Sequence, residues 1–210
     1  MTMEEKRDKN INLVGVSALK LFLEKGLDNV TIKDIAKESG LTERSIYRYF
    51  PTRIDLMLHA DYLLWAQMKK EVEYIVSDSF YQGQTGLEQI RILLNYYSTL
   101  FAKQPKVVRL ILESEMAFAK NGVVISRKDI PPGSFQSDTP LANAIRTGLK
   151  DGSVSKDIDA EQVYYLTYDS ILGVMQRCFL GDVYKKDAHN AQKRIEHLSE
   201  MLIAAFQGKV

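Results

Sequence analysis

The sequence predicts an all-α protein, and three observations support that prediction. Apolar residues recur at spacings of three and four along nearly the whole chain, and no segment sustains the alternation of a strand. Glycine, proline and helix-capping residues stand between the periodic segments. The 210 residues, 45% hydrophobic and 26% charged, can bury a core in one domain or in a small domain joined to a larger one.

The first helix is predicted from about Glu4 to Lys25, and Gly26 ends it as a C-terminal glycine. One stripe of this helix is apolar and is expected to face inward. The stripe consists of Ile11, Val14, Ala18, Leu21 and Phe22.

Two short helices are predicted next, because capping residues and breakers alternate closely here. Thr31 can cap a helix that runs through Ser39, with an acidic residue three positions later as in a capping box. Gly40 ends that helix. Thr42 caps the following one, and Pro51 closes it because proline disfavours helical geometry in the residue before it.

Six longer helices are predicted after Pro51. Their expected bounds are Arg53 to Ser77, Thr85 to Lys103, Pro105 to Lys120, Asp138 to Lys150, Asp159 to Gly181 and Asp187 to Gln207. The stretch from Asn121 to Asp138 contains two prolines and a glycine and is predicted to be a long loop. The change in helix length predicts a small domain over residues 1–52 and a larger one over residues 53–210.

Composition argues against several classes of protein. No run of about eighteen apolar residues occurs, and the first residues, MTMEEKRDKN, lack the apolar core of a signal peptide, so we expect a cytoplasmic protein without membrane association. Cys178 is the only cysteine, so it forms no internal disulfide and no cysteine-based zinc site, and we expect it to be buried packing. We expect no metal and no cofactor.

The stretch GLTERSIYRYF, Gly40 to Phe50, indicates DNA binding. Two short helices joined by a glycine turn have the form of a helix-turn-helix, in which Ile46 and Phe50 pack inward on Ile35 and Ala36. The side chains left outside are Arg44, Ser45, Tyr47, Arg48 and Tyr49. Arginine pairs with guanine edges, while hydroxyls bind phosphate oxygens. A single exposed arginine is more often part of a solvated face, but the combined spacing favours nucleic acid.

The run VTIKDIAKESGLTERSIYRYFPTRIDLM, Val30 to Met57, closely resembles the DNA-binding signature of the TetR family of bacterial transcriptional regulators. ALKLFLEKG, Ala18 to Gly26, resembles the end of that family's first helix. The resemblance implies a three-helix DNA-binding domain followed by a helical bundle for ligand binding and dimerisation. It also implies a homodimer whose recognition helices enter successive major grooves of a palindromic operator.

By the same resemblance, residues 31–33 start the helix that touches the DNA backbone, Glu43, Arg44 and Ser45 lie where bases are read, and the tyrosines lie where phosphates are gripped. The full set expected to bind DNA is Thr31, Lys33, Thr42, Glu43, Arg44, Ser45, Tyr47, Arg48, Tyr49 and Arg53. Arg53 replaces the usual lysine. Glu43 and Arg44 also depart from the pattern, so Glu43 either accepts from a cytosine amino group or caps its own helix.

The bundle is rich in aromatic and sulfur side chains, most of which we expect in the core. Several tyrosines together favour a ligand site as well, because a buried hydroxyl needs a partner and a small-molecule pocket is apolar with a few polar groups. The expected neighbours of an apolar or aromatic inducer are Trp65, Tyr97, Phe101, Met116, Tyr165 and Tyr168.

The last two helices carry apolar faces suited to a four-helix interface with a second chain, or equally to closing the protomer's own core. We favour the interface, because the resemblance implies two half-sites and a helix-turn-helix of this size binds weakly alone. The residues expected there are Ile171, Met175, Phe179, Leu198, Leu202 and Phe206.

The sequence therefore predicts a ligand-responsive transcriptional repressor that is not an enzyme. One alternative is a helical ligand-binding or adaptor protein without sequence-specific DNA binding. A less favoured alternative is a helical-bundle enzyme, because none of His59, His189 and His197 belongs to a Glu-x-x-His pair and no nucleophile elbow, P-loop or glycine-rich dinucleotide loop occurs.

Overall fold

The computed structural model describes residues 2–125, 135–179 and 191–209, except the side chains of residues 101, 102, 178, 179, 191 and 192. Within these ranges every regular element is helical, which confirms the predicted all-α class. The helices are α1 (Met3–Lys25), α2 (Ile32–Ser39), α3 (Glu43–Tyr49), α4 (Arg53–Ser77), α5 (Ser79–Gln82), α6 (Gly86–Lys103), α7 (Pro105–Lys120), α8 (Pro140–Asp151), α9 (Ala160–Phe179) and α10 (Ala191–Phe206).

Local capping sets the ends of the first helices as predicted. The Thr31 hydroxyl accepts the Asp34 N–H at 3.2 Å, and the Thr31 N–H donates to the Asp34 carboxylate at 2.9 Å, which completes a capping box. Gly40 then adopts left-handed geometry, with φ 69° and ψ 17°. A side chain with a Cβ is strained there, so this glycine makes the tight turn into α3 possible.

Two features differ from the prediction. The short helix α5 was not expected; Asp78 caps it by accepting the Phe80 N–H at 2.8 Å. Helix α8 begins at Pro140 rather than Asp138, because Thr139 caps it through the Ala142 N–H at 3.3 Å. The described parts of the expected Asn121 to Asp138 loop contain no helix, and its residues 126–134 lie outside the described residues. The predicted helix boundaries at Gly181 and Asp187 also lie outside the described residues.

The chain divides into two compact units. The first comprises Met1–Gln67 with Arg109–Ile125, and the second Met68–Val108 with Ser126–Val210. Helices α4 and α7 each contribute residues to both units, and the predicted boundary between residues 52 and 53 lies inside the first unit. The reason is close packing of α1 on α4: a Cβ on Gly15 would overlap the side chains of His59 and Leu63.

The first unit buries the predicted inner stripe of α1. Val14, Ala18, Leu21 and Phe22 are buried, whereas Ile11 is only partly covered. Helix α2 packs on both α1 and α3, so these three helices form one compact group. Its interior holds no charged side chain among the buried residues of α1, α2 and α3, which is typical of a small rigid scaffold.

The second unit is built on α6, which packs against α8 and α10, while α10 also packs against α9. The α6–α8 contact is very close, because a Cβ on Gly86 would overlap the backbone of Gly148. Fully buried side chains from all four helices form one core, among them Leu93, Ile145 and Tyr164. This packing places the tyrosines of α6 and α9 side by side.

The predicted dimer face must be corrected. Ile171, Met175, Leu202 and Phe206 are buried in the second unit's own core, and Leu198 is partly buried against it. Since α6 already covers the apolar side of α10, these side chains have little or no surface to give to another chain. The alternative, that this face closes the protomer's own core, is therefore right for these residues. The side chain of Phe179 lies outside the described residues.

Candidate nucleic-acid interface and ligand site

The helix-turn-helix is held by its apolar side, as predicted. Ile35, Ala36, Ile46 and Phe50 are all buried, and the Leu41 N–H donates to the Ala36 carbonyl at 3.1 Å across the turn. Helices α2 and α3 are in direct contact. This buried seam leaves the opposite face of α3 free to present side chains outward.

The outer face of α3 presents Glu43, Arg44, Tyr47 and Arg48 to solvent. At its start, the Thr42 hydroxyl accepts the Ser45 N–H at 3.2 Å and lies 3.0 Å from the Ser45 hydroxyl. Thr42 is thus the residue whose side chain caps α3. Glu43 occupies the first turn, where a negative charge is favourable to the helix dipole.

Tyr49 has a hydrogen-bonding arrangement that sequence reasoning missed. Its hydroxyl oxygen accepts from Asn10 Nδ2 at 3.0 Å and from Arg48 Nη2 at 2.9 Å, and the Arg48 guanidinium lies 4.9 Å from the Tyr49 ring centroid. The hydrogen bond from Asn10, followed by that from Arg48, lowers the pKa of Tyr49. With both lone pairs engaged, the remaining capacity of this hydroxyl is to donate its proton.

The rest of the expected DNA surface lies at the start of α2. Lys33 is exposed there. Thr31 is exposed too, but its hydroxyl donates to the Asp34 carboxylate at 2.6 Å and is therefore committed to its cap. Tyr47 is exposed on α3 with no hydrogen bond to the described residues.

Arg53 requires a correction. Its Nη1 donates to the Val30 carbonyl at 2.6 Å, its Nη2 donates to the Leu27 carbonyl, and its guanidinium lies 5.9 Å from the Phe22 ring centroid. Both terminal nitrogens therefore bind the loop between α1 and α2. Arg53 holds this loop together and is withdrawn from the residues expected to contact DNA.

A second set of contacts from α7 holds the end of α1 within the first unit. Glu113 accepts the Leu27 N–H at 2.8 Å, and Arg109 donates to the Leu23 carbonyl at 2.6 Å and to the Phe22 carbonyl at 3.2 Å. The bond to the Leu23 carbonyl satisfies a group that a helix end leaves without an intrahelical partner, whereas the Phe22 carbonyl also accepts the Gly26 N–H at 2.9 Å. The residues that the bonds from α7 join are 86 or 87 positions apart in the sequence, so residue spacing does not reveal these contacts.

Asp61 is a buried carboxyl group in the first unit, only 4% exposed. Burial raises its pKa to about 6, although Trp65 and Ser114 donate hydrogen bonds that favour the charged form. The nearby charge of Glu115 raises the pKa further. Trp65 is therefore the partner of a titrating carboxyl group.

The residues expected around a ligand do not all fall in one unit. Trp65 and Met116 belong to the first unit, and Met116 is 66% exposed, while Tyr97, Tyr165 and Tyr168 belong to the second. The side chain of Phe101 lies outside the described residues. Only the three tyrosines are brought together by the fold of a single unit.

These three belong to a larger group, called here the tyrosine cluster: Tyr96, Tyr97, Tyr164, Tyr165 and Tyr168. The rings of Tyr97 and Tyr168 are 5.9 Å apart, those of Tyr164 and Tyr168 5.3 Å, and those of Tyr164 and Tyr165 5.1 Å. Tyr96 lies 5.6 Å from Tyr97. Such offset and edge contacts are favourable for aromatic rings.

The hydroxyls of the cluster are linked to one another. Those of Tyr97 and Tyr168 are 3.3 Å apart, Tyr164 is also hydrogen-bonded to Tyr168, and the hydroxyls of Tyr164 and Thr139 are 3.1 Å apart. Burial raises the pKa of Tyr97 to about 12 and that of Tyr168 well above its usual value. Both hydroxyls are therefore protonated at neutral pH.

In the described part of the chain, no group of three or more His, Cys, Asp or Glu side chains is placed to hold a metal ion. None of the helices in these ranges is long and apolar enough to cross a membrane.

Comparison with known proteins places the helix-turn-helix in a known context. Residues 16–60 match the pattern described as "Bacterial regulatory proteins, tetR family". The chain is 26% identical to the HTH-type transcriptional regulator PksA of Bacillus subtilis (strain 168) over 167 residues. This alignment covers 77% of this chain and 75% of PksA.

Solved structures of other proteins are similar in fold. A TetR-family transcriptional regulator from Pectobacterium atrosepticum matches with a TM-score of 0.72 at 18% identity, over 98% of this chain and 97% of that one. RolR, solved in complex with resorcinol, matches with a TM-score of 0.58 at 15% identity, over 99% of this chain and 90% of that one.

Proposed function

We propose that this chain, which belongs to the TetR family of bacterial regulatory proteins, is a ligand-responsive DNA-binding transcriptional regulator. It represses its target genes from a palindromic operator and is released by a small molecule. The observation that supports this most directly is the outer face of α3, where arginine and tyrosine side chains stand on a short helix whose other side is buried. As a regulator of transcription it acts in the cytoplasm, where its operator is.

Each side chain of that face has a distinct proposed role. Arg44, in the first turn of α3, reaches a guanine edge, and Glu43 and Ser45 lie beside it near neighbouring bases. Tyr47, Arg48 and Tyr49 grip phosphates, with Lys33 of α2 on the adjoining backbone. Thr31 and Thr42 serve mainly as caps that aim the helix N-termini, whose positive dipole ends favour phosphate.

A homodimer supplies the two recognition helices that a palindromic operator requires. In place of the buried residues first expected, we propose the exposed sides of α9 and α10 as the interface. Leu166 is 50% exposed and Met201 is 66% exposed, and they lie on two helices that pack against each other. Pairing these faces would give four helices at the interface and would cover apolar surface that the single chain leaves in water.

Ligand response requires that binding in the second unit alter the geometry of the first. Helices α4 and α7 are continuous through both units and are the proposed carriers of that change. A ligand that prefers one spacing of the two recognition helices by about 1 to 3 kcal/mol changes operator affinity about five- to 150-fold.

The test is fluorescence anisotropy with DNA from the gene's own promoter region and with random DNA of equal length, across a salt series. We expect tighter binding to the promoter fragment and a salt-dependent affinity whose slope falls in Arg48→Ala. Lys70→Ala, at an exposed position of α4 in the second unit, is the control and should leave the slope unchanged. Equal, salt-insensitive binding to both fragments would favour the alternative of a helical binding protein without DNA recognition.

A further inference from the structure

We infer that the ligand of the second unit is a small neutral molecule with an aromatic or compact apolar body and one hydroxyl or carbonyl oxygen, which binds at the hydroxyl of Tyr97. The inference rests on the proposed ligand response and names the chemical class to which the protein responds. It is carried by the order of hydrogen bonds in the tyrosine cluster and by the charges around it.

The cluster contains a chain of four hydroxyls that ends at Tyr97. Thr139, Tyr164, Tyr168 and Tyr97 follow one another, with oxygen separations of 3.1 Å at the first step and 3.3 Å at the last. Four hydroxyls bring four protons, and three bonds use three of them. If the protons point toward Tyr97, its O–H lacks an acceptor; if they point away, its oxygen lacks a donor.

Within the described residues Tyr168 is the only hydrogen-bond partner of the Tyr97 hydroxyl. A buried hydroxyl with unused capacity is unfavourable, and a ligand oxygen can complete it. A ligand hydroxyl serves either direction of the proton chain, whereas a carbonyl serves the direction in which Tyr97 donates. One such oxygen is therefore enough to orient the molecule.

Space for the rest of the molecule is indicated by how these residues are covered. Burial raises the pKa of Tyr97 and Tyr168, and their hydroxyls lie 3.3 Å apart where α6 contacts α9. Yet both side chains keep some accessible surface, whereas Tyr164, the neighbour of Tyr168 in the chain of hydroxyls, is fully buried. We therefore place the body of the ligand against the accessible part of these two rings.

The charges near the cluster favour a neutral ligand. Arg146 of α8 is used by the protein, since it donates to the Phe135 carbonyl at 2.9 Å and to the Ser137 carbonyl at 3.1 Å. The carboxylate of Glu71 accepts from the Tyr96 hydroxyl at 2.9 Å, which places a negative charge beside the cluster. An anion would lose its hydration, and the guanidinium that lies nearest to Tyr164 already uses its N–H groups on Phe135, Ser137 and Asn143.

A cationic ligand is disfavoured for a related reason. Tyr97 and Tyr168 stay protonated at neutral pH and cannot act as counter-ions, and Glu71 lies at an exposed position already bound to Tyr96. The cluster therefore offers aromatic faces and neutral hydroxyls, which match a phenol, an alcohol, a ketone or a lactone-like carbonyl on an apolar body.

The test uses probes that share one ring body and differ in the polar group: 2-naphthol, naphthalene and 2-naphthoate, with phenol as a smaller neutral probe. Binding to the intact protein is measured by isothermal titration at neutral pH. We expect 2-naphthol or phenol to bind, and the neutral probe to bind at least about tenfold more tightly than 2-naphthoate. Equal or tighter binding of 2-naphthoate would overturn the inference, as would no binding of either neutral hydroxyl probe at millimolar concentration.

Tyr97→Phe keeps the ring and removes the terminal hydroxyl. It should weaken the hydroxyl probe about three- to tenfold and leave naphthalene unchanged, because one hydrogen bond is lost. Tyr74→Phe is the matched control, since Tyr74 is an 81% exposed tyrosine of the same unit and should change neither probe. An unchanged preference for the hydroxyl probe in Tyr97→Phe, with folding verified by circular dichroism, would place the site elsewhere.

The same measurements separate this inference from the proposed function. Ligand-free protein that binds its promoter DNA supports DNA recognition whatever the probes do. If 2-naphthol binds as expected but leaves operator affinity unchanged at saturation, the ligand class stands and the ligand-responsive role fails. If the operator is bound and 2-naphthoate is preferred, the regulator stands and the ligand class fails.

Discussion

Removing the hydroxyl of Tyr49 tests the DNA interface most directly, because the structure specifies what that hydroxyl has left to do. Its oxygen already accepts from Asn10 and Arg48, so it can only donate, and a phosphate oxygen can only accept. Tyr49→Phe should lose about 1 kcal/mol for each half-site. A dimer with two half-sites then loses about 2 kcal/mol, or about thirtyfold in operator affinity.

Asn10 extends the same prediction to a residue on another helix. It need not touch DNA, since its amide holds Tyr49 from α1 at 3.0 Å. Asn10→Ala should weaken binding by about 0.5 kcal/mol per half-site, because the Tyr49 side chain must then be ordered when DNA binds. In the Tyr49→Phe background the same change should have almost no effect, so the two substitutions are coupled.

The assay is a double-mutant cycle by fluorescence anisotropy on operator and random DNA, at several salt concentrations. Tyr49 and Asn10 are neutral, so the salt slope should remain constant through the cycle and affinity should fall equally for both DNAs. Asn12→Ala, at an exposed position on the same helix, is the control for α1. Additive losses from Asn10→Ala and Tyr49→Phe would refute the positioning of Tyr49 by Asn10.

Three further predictions concern other parts of the chain. Arg44→Ala should cost roughly 1 to 3 kcal/mol per half-site and relax preference at one base pair, with non-specific binding nearly unchanged; equal losses on operator, a one-base variant and random DNA would make Arg44 a backbone contact. Met201→Glu, at a 66% exposed position, should convert a dimer to a folded monomer in light scattering, and an unaffected dimer would exclude this face. Asp61→Asn should raise stability at pH 8 by as much as about 3 kcal/mol and change it little at pH 4. The reason is that the folded pKa of about 6 lies above the ordinary 3.8, so that wild-type stability falls as pH rises between these values. Urea unfolding that shows no such difference between pH 4 and pH 8 would contradict this account.

Local features of the fold could be predicted because their causes lie within a few residues. Thr31 and Thr42 cap the helices that follow them, and Gly40 takes the left-handed geometry that its place between two helices requires. The inner stripe of the helix-turn-helix was correct for the same reason, since Ile46 and Phe50 lie one turn apart. Periodicity of three and four shows which side of a helix is buried.

Periodicity does not show what covers that side. The apolar faces of α9 and α10 were visible in the sequence, but their partner is α6 within the same chain, and Phe206 is fully buried. A charged substitution at Phe206 would therefore unfold the second unit and would not report on dimerisation. The exposed side of these helices, with Leu166 and Met201, had too few apolar residues to stand out.

Long-range polar contacts were equally hidden. Asn10 and Tyr49 are 39 positions apart, and Arg53 binds a carbonyl 23 positions away, so no local pattern records either contact. Tyr97, Tyr165 and Tyr168 were recognised as a group because aromatic composition is visible. The hydrogen-bonded chain that joins Tyr164, Tyr168 and Tyr97 depends on how α6, α8 and α9 pack, which spacing alone does not encode.

The bond between Trp65 and Asp61 makes the chain's only tryptophan a built-in spectroscopic probe of the first unit. Its emission should follow the charge of that carboxyl group near pH 6 even when no ligand is present. A fluorescence titration with a weakly acidic compound can therefore register a drift in pH as apparent binding. When the titration is buffered at pH 8, or is carried out with the Asp61→Asn variant, tryptophan fluorescence reports without a label on the unit that carries the DNA-binding helices.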